Sequence, residues 1–188
     1  MLLNGKRIML DPGHAGRTMD PGACGAMSVE SDVAFAISQE VANILTMRWG
    51  ATVGCTKTGI NDDDSDELAV RVDRSDTFLA DILVSIHLNA AGNPAALGTE
   101  TFFMSKRGGI LAGCIQKQLV ACLGTVDRGL KDGSRLYMVR HTDAVAVLTE
   151  VCFISNGDEE LMINRDYKKA AEAIAQGIVD YFVVTGEV

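Results

Sequence analysis

The chain has 188 residues, of which 47% are hydrophobic, and its formal net charge is −8. This length and apolar content suit a single packed domain, here predicted to span residues 1–188, and no low-complexity tract interrupts it. Nucleic-acid binders neutralise phosphates with clustered Lys and Arg, and this chain has no such cluster. The excess of acidic residues therefore argues against a nucleic-acid partner and against electrostatic attachment to anionic membranes or wall polymers.

The first ten residues contain Lys6 and Arg7 inside a short apolar stretch, so they lack the long apolar region of a signal peptide. No run reaches the roughly 18 consecutive apolar residues that a membrane helix needs. We therefore expect synthesis in the cytoplasm without a signal peptide and no membrane insertion, although a trimmed sequence would hide a signal.

Five cysteines form an odd, widely spaced set without a C-x-x-C pair, which argues against a disulfide framework or a structural zinc site. Cys24 lies in a Gly-rich loop, where a reactive thiol is an open alternative. The other four are predicted to be small buried hydrophobic residues: Cys55, Cys114, Cys122 and Cys152.

The first half of the chain alternates short β-rich runs with segments of helical period. A strand at residues 7–10 is followed by a helix whose apolar face runs from Val33 to Leu45 and which ends at Gly50. Residues 51–56 form a second predicted strand. A helix at residues 68–79, with Leu68, Val72, Ser75 and Leu79 aligned on one face, leads into a buried strand at 82–86.

The second half continues this alternation. Residues 99–104 are predicted to form a strand, and residues 110–123 a helix with Ile110, Cys114, Ile115, Leu119 and Cys122 facing inward. The apolar run 145–152 is typical of a central parallel strand, and an amphipathic helix at 167–182 closes the chain. The pattern predicts a single-domain α/β fold, a mainly parallel twisted sheet with helices on both faces.

Two of the three histidines follow predicted strands. His14 lies in a Gly/Pro turn directly after the first strand, and His87 follows the buried run 82–86. Open α/β sheets build ligand sites beyond the carboxyl ends of their strands, so both side chains are expected at one edge. Each histidine taken alone could equally be a turn or core residue.

A catalytic zinc site usually has three protein ligands and one position left for water. A carboxylate would therefore be needed as the third ligand beside the two imidazoles. Glu30 lies where the Gly-rich loop enters the first helix and could complete such a site. The alternative is a first-turn glutamate stabilised by the helix dipole.

Glu150 is the one ionisable residue of the apolar run 145–152. Burying a carboxylate is costly unless it is paired, protonated or facing a polar site, so such a residue is usually functional. A carboxylate beside a metal can accept a proton from water, which would give Glu150 a role distinct from that of a ligand.

Several segments, in this order, resemble the zinc-dependent N-acetylmuramoyl-L-alanine amidases of the amidase-3 family, and the likeness spans nearly the whole chain. The matching segments are 10–16, 20–23 with Glu30, 80–90, 98–101, 127–131 and 147–156. Two positions depart from the family pattern: Ala15 replaces a glycine and Val145 replaces a proline. They leave the loop shape and the preference among stem peptides open, and they remove no reactive atom.

The resemblance implies that His14, Glu30 and His87 bind one Zn²⁺ per chain and that Glu150 is the catalytic acid/base. The implied substrate is bacterial peptidoglycan, cut at the amide between N-acetylmuramic acid and L-alanine. Asn89, Glu100 and Arg128 are candidates for positioning substrate or the ligands.

Other polar residues have weaker functional interpretations. His141 is expected to line the groove rather than to bind metal. The acidic run 62–67 lacks the glycine and spacing of an EF-hand loop and is predicted to be a solvated loop.

Two other functions remain open from the residues alone: a wall-binding or regulatory protein that does not cut, and a zinc peptidase that acts on another amide of the stem. The setting that fits best is a phage or prophage endolysin, which acts on the wall after release from the cytoplasm. A mother-cell lysis enzyme and a catalytic fragment of an autolysin are the alternatives. The sequence does not determine the oligomeric state.

Overall fold

Six strands form one twisted sheet in the computed structural model, which describes residues 1–188. The strand order is β2-β1-β3-β6-β4-β5, and every neighbouring pair is parallel except β4 with β6. The strands are β1 (Arg7–Pro12), β2 (Thr52–Cys55), β3 (Ile82–Asn89), β4 (Thr99–Phe103), β5 (Asp127–Asp132) and β6 (Val145–Phe153). The predicted α/β class with a mainly parallel sheet is confirmed.

Five α-helices cover both faces of this sheet: α1 (Glu30–Ile44), α2 (Leu68–Thr77), α3 (Lys106–Leu123), α4 (Tyr137–His141) and α5 (Gly157–Thr185). The main core packs α1, α3 and α5 against one face. A smaller cluster of Met9, Leu83, Met138 and Ala146 packs under α2 and α4 on the other face. Both layers bury apolar side chains, as a doubly covered parallel sheet requires.

The end of α1 lies where the sequence predicts it. The helix continues as one π-helical turn, Leu45–Trp49, and stops at Gly50, whose φ of 78° is the left-handed conformation that glycine adopts without strain. Strand β2 then begins two residues later and pairs in parallel with β1.

Helix α5 buries the apolar face that the sequence predicts, which comprises Ala171, Ile174, Ala175, Ile178 and Phe182. It begins ten residues earlier than predicted because Asn156 caps it by accepting hydrogen bonds from the backbone N–H groups of Asp158 and Glu159. The additional N-terminal turns contain Glu159 and Glu160, two buried acids that help to hold loops near the site.

The inward faces of two helices differ from the prediction. In α3 the buried positions include Leu111 and Ala112, whereas Ile110 and Cys122 are exposed. Helix α2 ends at Thr77 rather than at residue 79, and the predicted apolar positions Leu68 and Leu79 are exposed, whereas Ser75 is buried on the predicted face and Arg71 is also buried. The cysteine prediction is confirmed only for Cys152, because Cys122 is exposed and the remaining two are half-buried: Cys55 and Cys114.

Two short elements were not predicted at all. Strand β5 has the sequence Asp-Arg-Gly-Leu-Lys-Asp and lies at the edge of the sheet, where charged residues are compatible with a strand because one side faces solvent. Helix α4 has only five residues. None of the helices is both long and apolar enough to span a lipid bilayer.

Candidate metal centre

The turn after β1 brings the first histidine to the carboxyl edge of the sheet. His14 has a φ of 65°, which is uncommon for a side chain with a Cβ, and Gly13 before it donates its N–H to the carbonyl of Ile86 at 2.9 Å. A Cβ on Gly13 would lie only 2.6 Å from Nδ1 of His87. Glycine is therefore required at this position to let the turn pass beside the second histidine.

Glu30 is the first residue of α1, at the end of a loop that is fixed to α5. The carboxylate of Glu160 accepts hydrogen bonds from the backbone N–H groups of Ala26, Met27 and Ser28, at 3.0, 2.7 and 2.9 Å. Three charge-assisted bonds to consecutive N–H groups order this loop without secondary structure. The side chain of Glu30 is thereby placed next to the turn that contains His14.

His14, Glu30 and His87 converge on one point, with one ligand atom from each within 4.8 Å of the others. Nε2 of His14 lies 3.0 Å from one oxygen of Glu30, and Nδ1 of His87 lies 2.9 Å from the other. Glu30 is 4% exposed, and the two imidazoles are half-buried. The structure therefore brings together the three side chains that the sequence singles out.

Asp20 fixes the orientation of His14 and was not identified from the sequence. Its carboxylate lies 2.8 Å from Nδ1 of His14 and also accepts the N–H of Gly22 at 3.1 Å. A carboxylate on Nδ1 favours the proton there, which leaves Nε2 free as a donor to a metal. The Asp-Pro-Gly turn of residues 20–22 was the available signal, and only the spatial closeness to His14 reveals its use.

The ionisation of the three side chains is coupled. Burial alone would raise the pKa of Glu30, but its hydrogen bonds with His14 and His87 outweigh burial and hold the pKa below its usual range. Burial alone would lower the pKa values of the two histidines, and their hydrogen bonds with Glu30 raise both instead. Glu30 is thus a stable anion at neutral pH, as a ligand must be.

Glu150 lies on β6, directly beside His87 in the parallel pairing of β3 with β6. Burial raises the pKa of Glu150 to about 7, and the carboxylates of Glu30 and Glu100 add to this effect. One of its oxygens, Oε2, is buried and has no hydrogen-bond partner in the protein. A carboxyl group with a pKa near neutrality and an unused oxygen is suited to accept and return a proton.

The three lower-ranked candidates form one network next to Glu150. Glu100 is the cross-strand neighbour of Glu150 in the antiparallel pair of β4 and β6. One oxygen of Glu100 accepts from Asn89 at 2.8 Å and the other accepts from Nε of Arg128 at 2.9 Å. The guanidinium of Arg128 also lies over the ring of Phe153, 4.9 Å from its centroid.

A buried ion pair between Asp11 and Arg71 stabilises the end of β1 near the candidate metal centre. Asp11 accepts hydrogen bonds from Thr56 and Ser85, both at 2.6 Å, and from Arg71 at 3.0 Å. Arg71 also donates to the carbonyl of Pro12 at 2.8 Å. Sequence reasoning missed this pair because α2 has several charged residues, and nothing local indicates that Arg71 is the one that faces the sheet.

The remaining candidates lie outside the ligand cluster. His141 ends α4 and packs against Tyr137 with ring centroids 4.3 Å apart, while Cys24 is exposed. The acidic run is not fully solvated as predicted, because Asp62 is buried and accepts hydrogen bonds from Thr58 and Arg74. Asp62 therefore organises its own turn.

The donor set fits a zinc ion, because two imidazoles and one carboxylate are among the ligands that zinc takes, and three protein ligands leave a position open for water. Glu150, which has the unpartnered oxygen, lies on β6, and this strand pairs with β3, which contains His87. Three possible ligands and a spare carboxyl group, at the carboxyl edge of an α/β sheet, are the groups that a metal-dependent hydrolase requires.

A family model described as N-acetylmuramoyl-L-alanine amidase matches residues 8–180, and the chain belongs to this family. LytC, an N-acetylmuramoyl-L-alanine amidase of Bacillus subtilis (strain 168), is 34% identical over 95% of this chain and 36% of its own length. The endolysin of Bacillus phage SPP1 is 34% identical over 93% of this chain and 65% of its own length. The chain thus spans about a third of the first relative and somewhat under two thirds of the second.

A solved structure with the same architecture is the catalytic domain of CwlV, an N-acetylmuramoyl-L-alanine amidase from Bacillus (Paenibacillus) polymyxa var. colistinus. It is 31% identical and superposes with a TM-score of 0.86 over 95% of this chain and 99% of that one. The fold described above is therefore that of an amidase catalytic domain.

Proposed function

We propose that residues 1–188 form a catalytic unit that hydrolyses the amide between N-acetylmuramic acid and L-alanine in peptidoglycan, with one Zn²⁺ held by His14, Glu30 and His87. The observation that carries this proposal is the convergence of the three ligand atoms within 4.8 Å, beside the unpartnered carboxyl oxygen of Glu150. Membership of the amidase family indicates which bond is cut. A wall-binding protein without activity would have no use for the buried Glu150.

The chemistry divides between the metal and this chain's own residues. When bound, zinc lowers the pKa of a water molecule and polarises a carbonyl group. Glu150 accepts the proton of the attacking water and donates it to the departing nitrogen of alanine, which its pKa of about 7 permits in both directions. Asp20 keeps Nε2 of His14 directed toward Glu30 throughout.

Asn89, Glu100 and Arg128 are positioning residues in this proposal. Each oxygen of Glu100 accepts one hydrogen bond from a protein donor, which holds the carboxylate in place. The network keeps the strand beside Glu150 in register and places a second negative charge near it, which helps Glu150 to hold a proton near neutral pH.

The biological setting is proposed from the relatives. An endolysin of a Bacillus phage and an amidase of Bacillus subtilis are both about a third identical to this chain. We propose a lytic enzyme that is made in the cytoplasm and acts on the wall after release, as a phage or prophage endolysin does, with a mother-cell or autolysin amidase as the alternative.

Removal and return of the metal test the proposal. Protein that has been treated with a chelator and dialysed should release no new amino groups from purified peptidoglycan. One equivalent of Zn²⁺ per chain should restore the reaction, whereas Mg²⁺ should not, because Mg²⁺ prefers oxygen ligands. Full turnover by protein with no bound metal would exclude the proposed mechanism.

A further inference from the structure

Two cavities meet the short turn at residues 16–20, which is closed by pairing of Gly16 with Asp20, and the first of them is lined by ligand residues. A cavity of 340 Å³ is lined by His14, His87 and Asp20, together with residues of α2 and of the α4 region. A second cavity of 370 Å³ lies between the start of α1 and α5 and is lined by Arg17 of the same turn. A substrate cut in its middle needs room for an arm on each side of the metal.

The two cavities differ in charge. The first is lined by three carboxylates and a single guanidinium, Arg71, which is already paired with Asp11. Its remaining wall is largely apolar and includes the exposed ring of Tyr137. The second cavity is lined by one ion pair, Arg17 with Asp32, and by the amide of Asn164, Ile163 and Tyr167. The first cavity thus has an excess of carboxylates, whereas the second is balanced and has a guanidinium group that is bonded only through Nε, so an anionic arm is favoured in the second.

Arg17 is held in a suitable orientation for an anion. Its Nε donates to Asp32 in the first turn of α1 at 2.5 Å, and the side chain is 61% exposed. Neither terminal nitrogen has a hydrogen-bond partner within the protein. The Asp32 contact thus fixes the planar group, while two nitrogens remain available for the paired bonds that a carboxylate accepts.

Peptidoglycan has two chemically different arms at the scissile amide. The glycan arm is a largely neutral sugar chain with acetamido groups. The peptide arm begins with L-alanine and continues to a D-glutamate that is linked through its side chain, so its α-carboxylate is free unless the wall carries it as an amide. The free-acid and amidated forms of the peptide arm thus differ in a single charged group.

We propose, on the basis of the proposed amidase function, that the cavity between α1 and α5 binds the stem peptide and that Arg17 binds the free α-carboxylate of its D-glutamate. The glycan arm then lies in the other cavity, against Tyr137. Arg17 makes the enzyme selective for stems with a free carboxylate over stems in which this group is amidated.

The test uses two synthetic N-acetylmuramoyl tripeptides that are identical except that the D-glutamate α-carboxyl is free in one and amidated in the other. Arg17→Gln should lower kcat/KM for the free acid by about 10-fold, mainly through KM, and change the amide substrate by less than about two-fold. The matched control is Arg135→Gln, which removes an equal charge next to Leu136 in the wall of the other cavity. This variant should not discriminate between the substrates.

Each outcome decides the proposal. An equal loss on both substrates by Arg17→Gln, with zinc content unchanged, means that Arg17 has only a structural role and overturns it. Discrimination by Arg135→Gln instead of Arg17→Gln places the peptide in the other cavity and also overturns it. If the unaltered enzyme cleaves neither substrate, the amidase function itself is wrong and the assignment fails with it, whereas cleavage of both with an unselective Arg17→Gln leaves the function intact.

Discussion

The pKa values of Glu30 and Glu150 are shifted in opposite directions, and the cause is local. Each carboxylate oxygen of Glu30 is hydrogen-bonded to one imidazole, so the pKa of Glu30 is held low despite burial. Glu150 is half-buried, but its buried oxygen Oε2 has no partner, so desolvation raises its pKa to about 7. When the environments of two carboxyl groups shift their pKa values in opposite directions, the group with the low pKa suits a ligand and the group with the raised pKa suits proton transfer.

The substitution Glu150→Gln separates metal binding from proton transfer. The amide keeps the shape of the side chain but cannot accept the proton of water, so turnover should fall by at least about 100-fold. Zinc content and the thermal unfolding midpoint should stay close to those of the unaltered protein. Loss of the metal in this variant would instead make Glu150 a ligand, and near-normal turnover would remove it from catalysis.

Removal of either histidine should abolish both metal and activity. His14→Ala and His87→Ala each leave two ligand side chains, which are too few for a catalytic zinc site. Zinc per chain is measured by atomic absorption after dialysis against buffer without metal, with His141→Ala as the control because His141 lies outside the cluster. A variant that retains one zinc per chain would show that the altered histidine is not a ligand.

Asp20 is expected to act through His14. Asp20→Asn removes the charge on Nδ1 while keeping a similar shape, so the affinity for zinc should fall by about 10- to 100-fold. Asp66→Asn is a suitable control, since Asp66 lines the same cavity, is exposed and makes no bond to a ligand. Competition with a chromogenic chelator measures both affinities, and equal values for the two variants would argue against a role for Asp20.

The sequence singles out the side chains that the structure brings together at the centre, but not the groups that orient them. His14 and His87 were identifiable because parallel strands place their carboxyl ends at one edge, and Glu150 because an acid inside an apolar strand is conspicuous. Asp20 and Glu160 carry no comparable signal, because an acid in a turn or in the first turn of a helix is common. Their roles depend on distances that only the folded chain defines.

At the scale of elements, glycines let the loops approach the ligands. Gly22 has a φ of 70°, and a Cβ there would lie 2.6 Å from Nε2 of His14 and 2.7 Å from Oε2 of Glu30. These distances are shorter than van der Waals contact, so a methyl group would occupy the space between the ligands.

Gly22→Ala should therefore reduce zinc binding and activity together, by at least about 10-fold, because both the left-handed backbone and the ligand positions are disturbed. Gly59→Ala is the matched control, since its Cβ would meet only Asn61 at an ordinary 3.6 Å. Circular dichroism and zinc titration are recorded for both variants. Unchanged zinc affinity in Gly22→Ala would show that the loop adapts freely.

The elements that the sequence predicts well are those with long apolar runs, such as β3, β6 and the C-terminal part of α5. Strand β5 was missed because an edge strand has solvent on one side and needs no apolar alternation. The inward face of α3 was misplaced because Ile110 and Leu111 are neighbours, and only packing against α5 decides that Leu111 is buried. Such choices depend on tertiary contacts rather than on local preference.

At the scale of the whole molecule, metal binding is linked to pH through the coupled centre. Both histidines have pKa values above the ordinary 6.5, so in the metal-free protein they are protonated at higher pH than free imidazoles. Zinc needs neutral imidazole, and binding must therefore release protons. Glu30 has a lowered pKa, remains ionised and contributes no proton.

The affinity for zinc should consequently decrease as the pH falls, and the decrease should begin above pH 6.5, the ordinary value for histidine. Calorimetric titrations at about pH 6 and about pH 8, in buffers of different ionisation enthalpy, measure the protons released. More protons should be released at the lower pH. An affinity that is constant across this interval would contradict the coupling of the histidines with Glu30.

The most direct test of the central claim is digestion of purified peptidoglycan by the zinc-loaded protein, followed by quantification of both kinds of new chain end. Hydrolysis of the N-acetylmuramoyl–L-alanine amide predicts free L-alanine amino termini in step with solubilisation, with glycan strands left intact. The zinc-stripped protein should produce neither change. New reducing sugar ends without new amino termini, or amino termini on a residue other than alanine, would contradict the account.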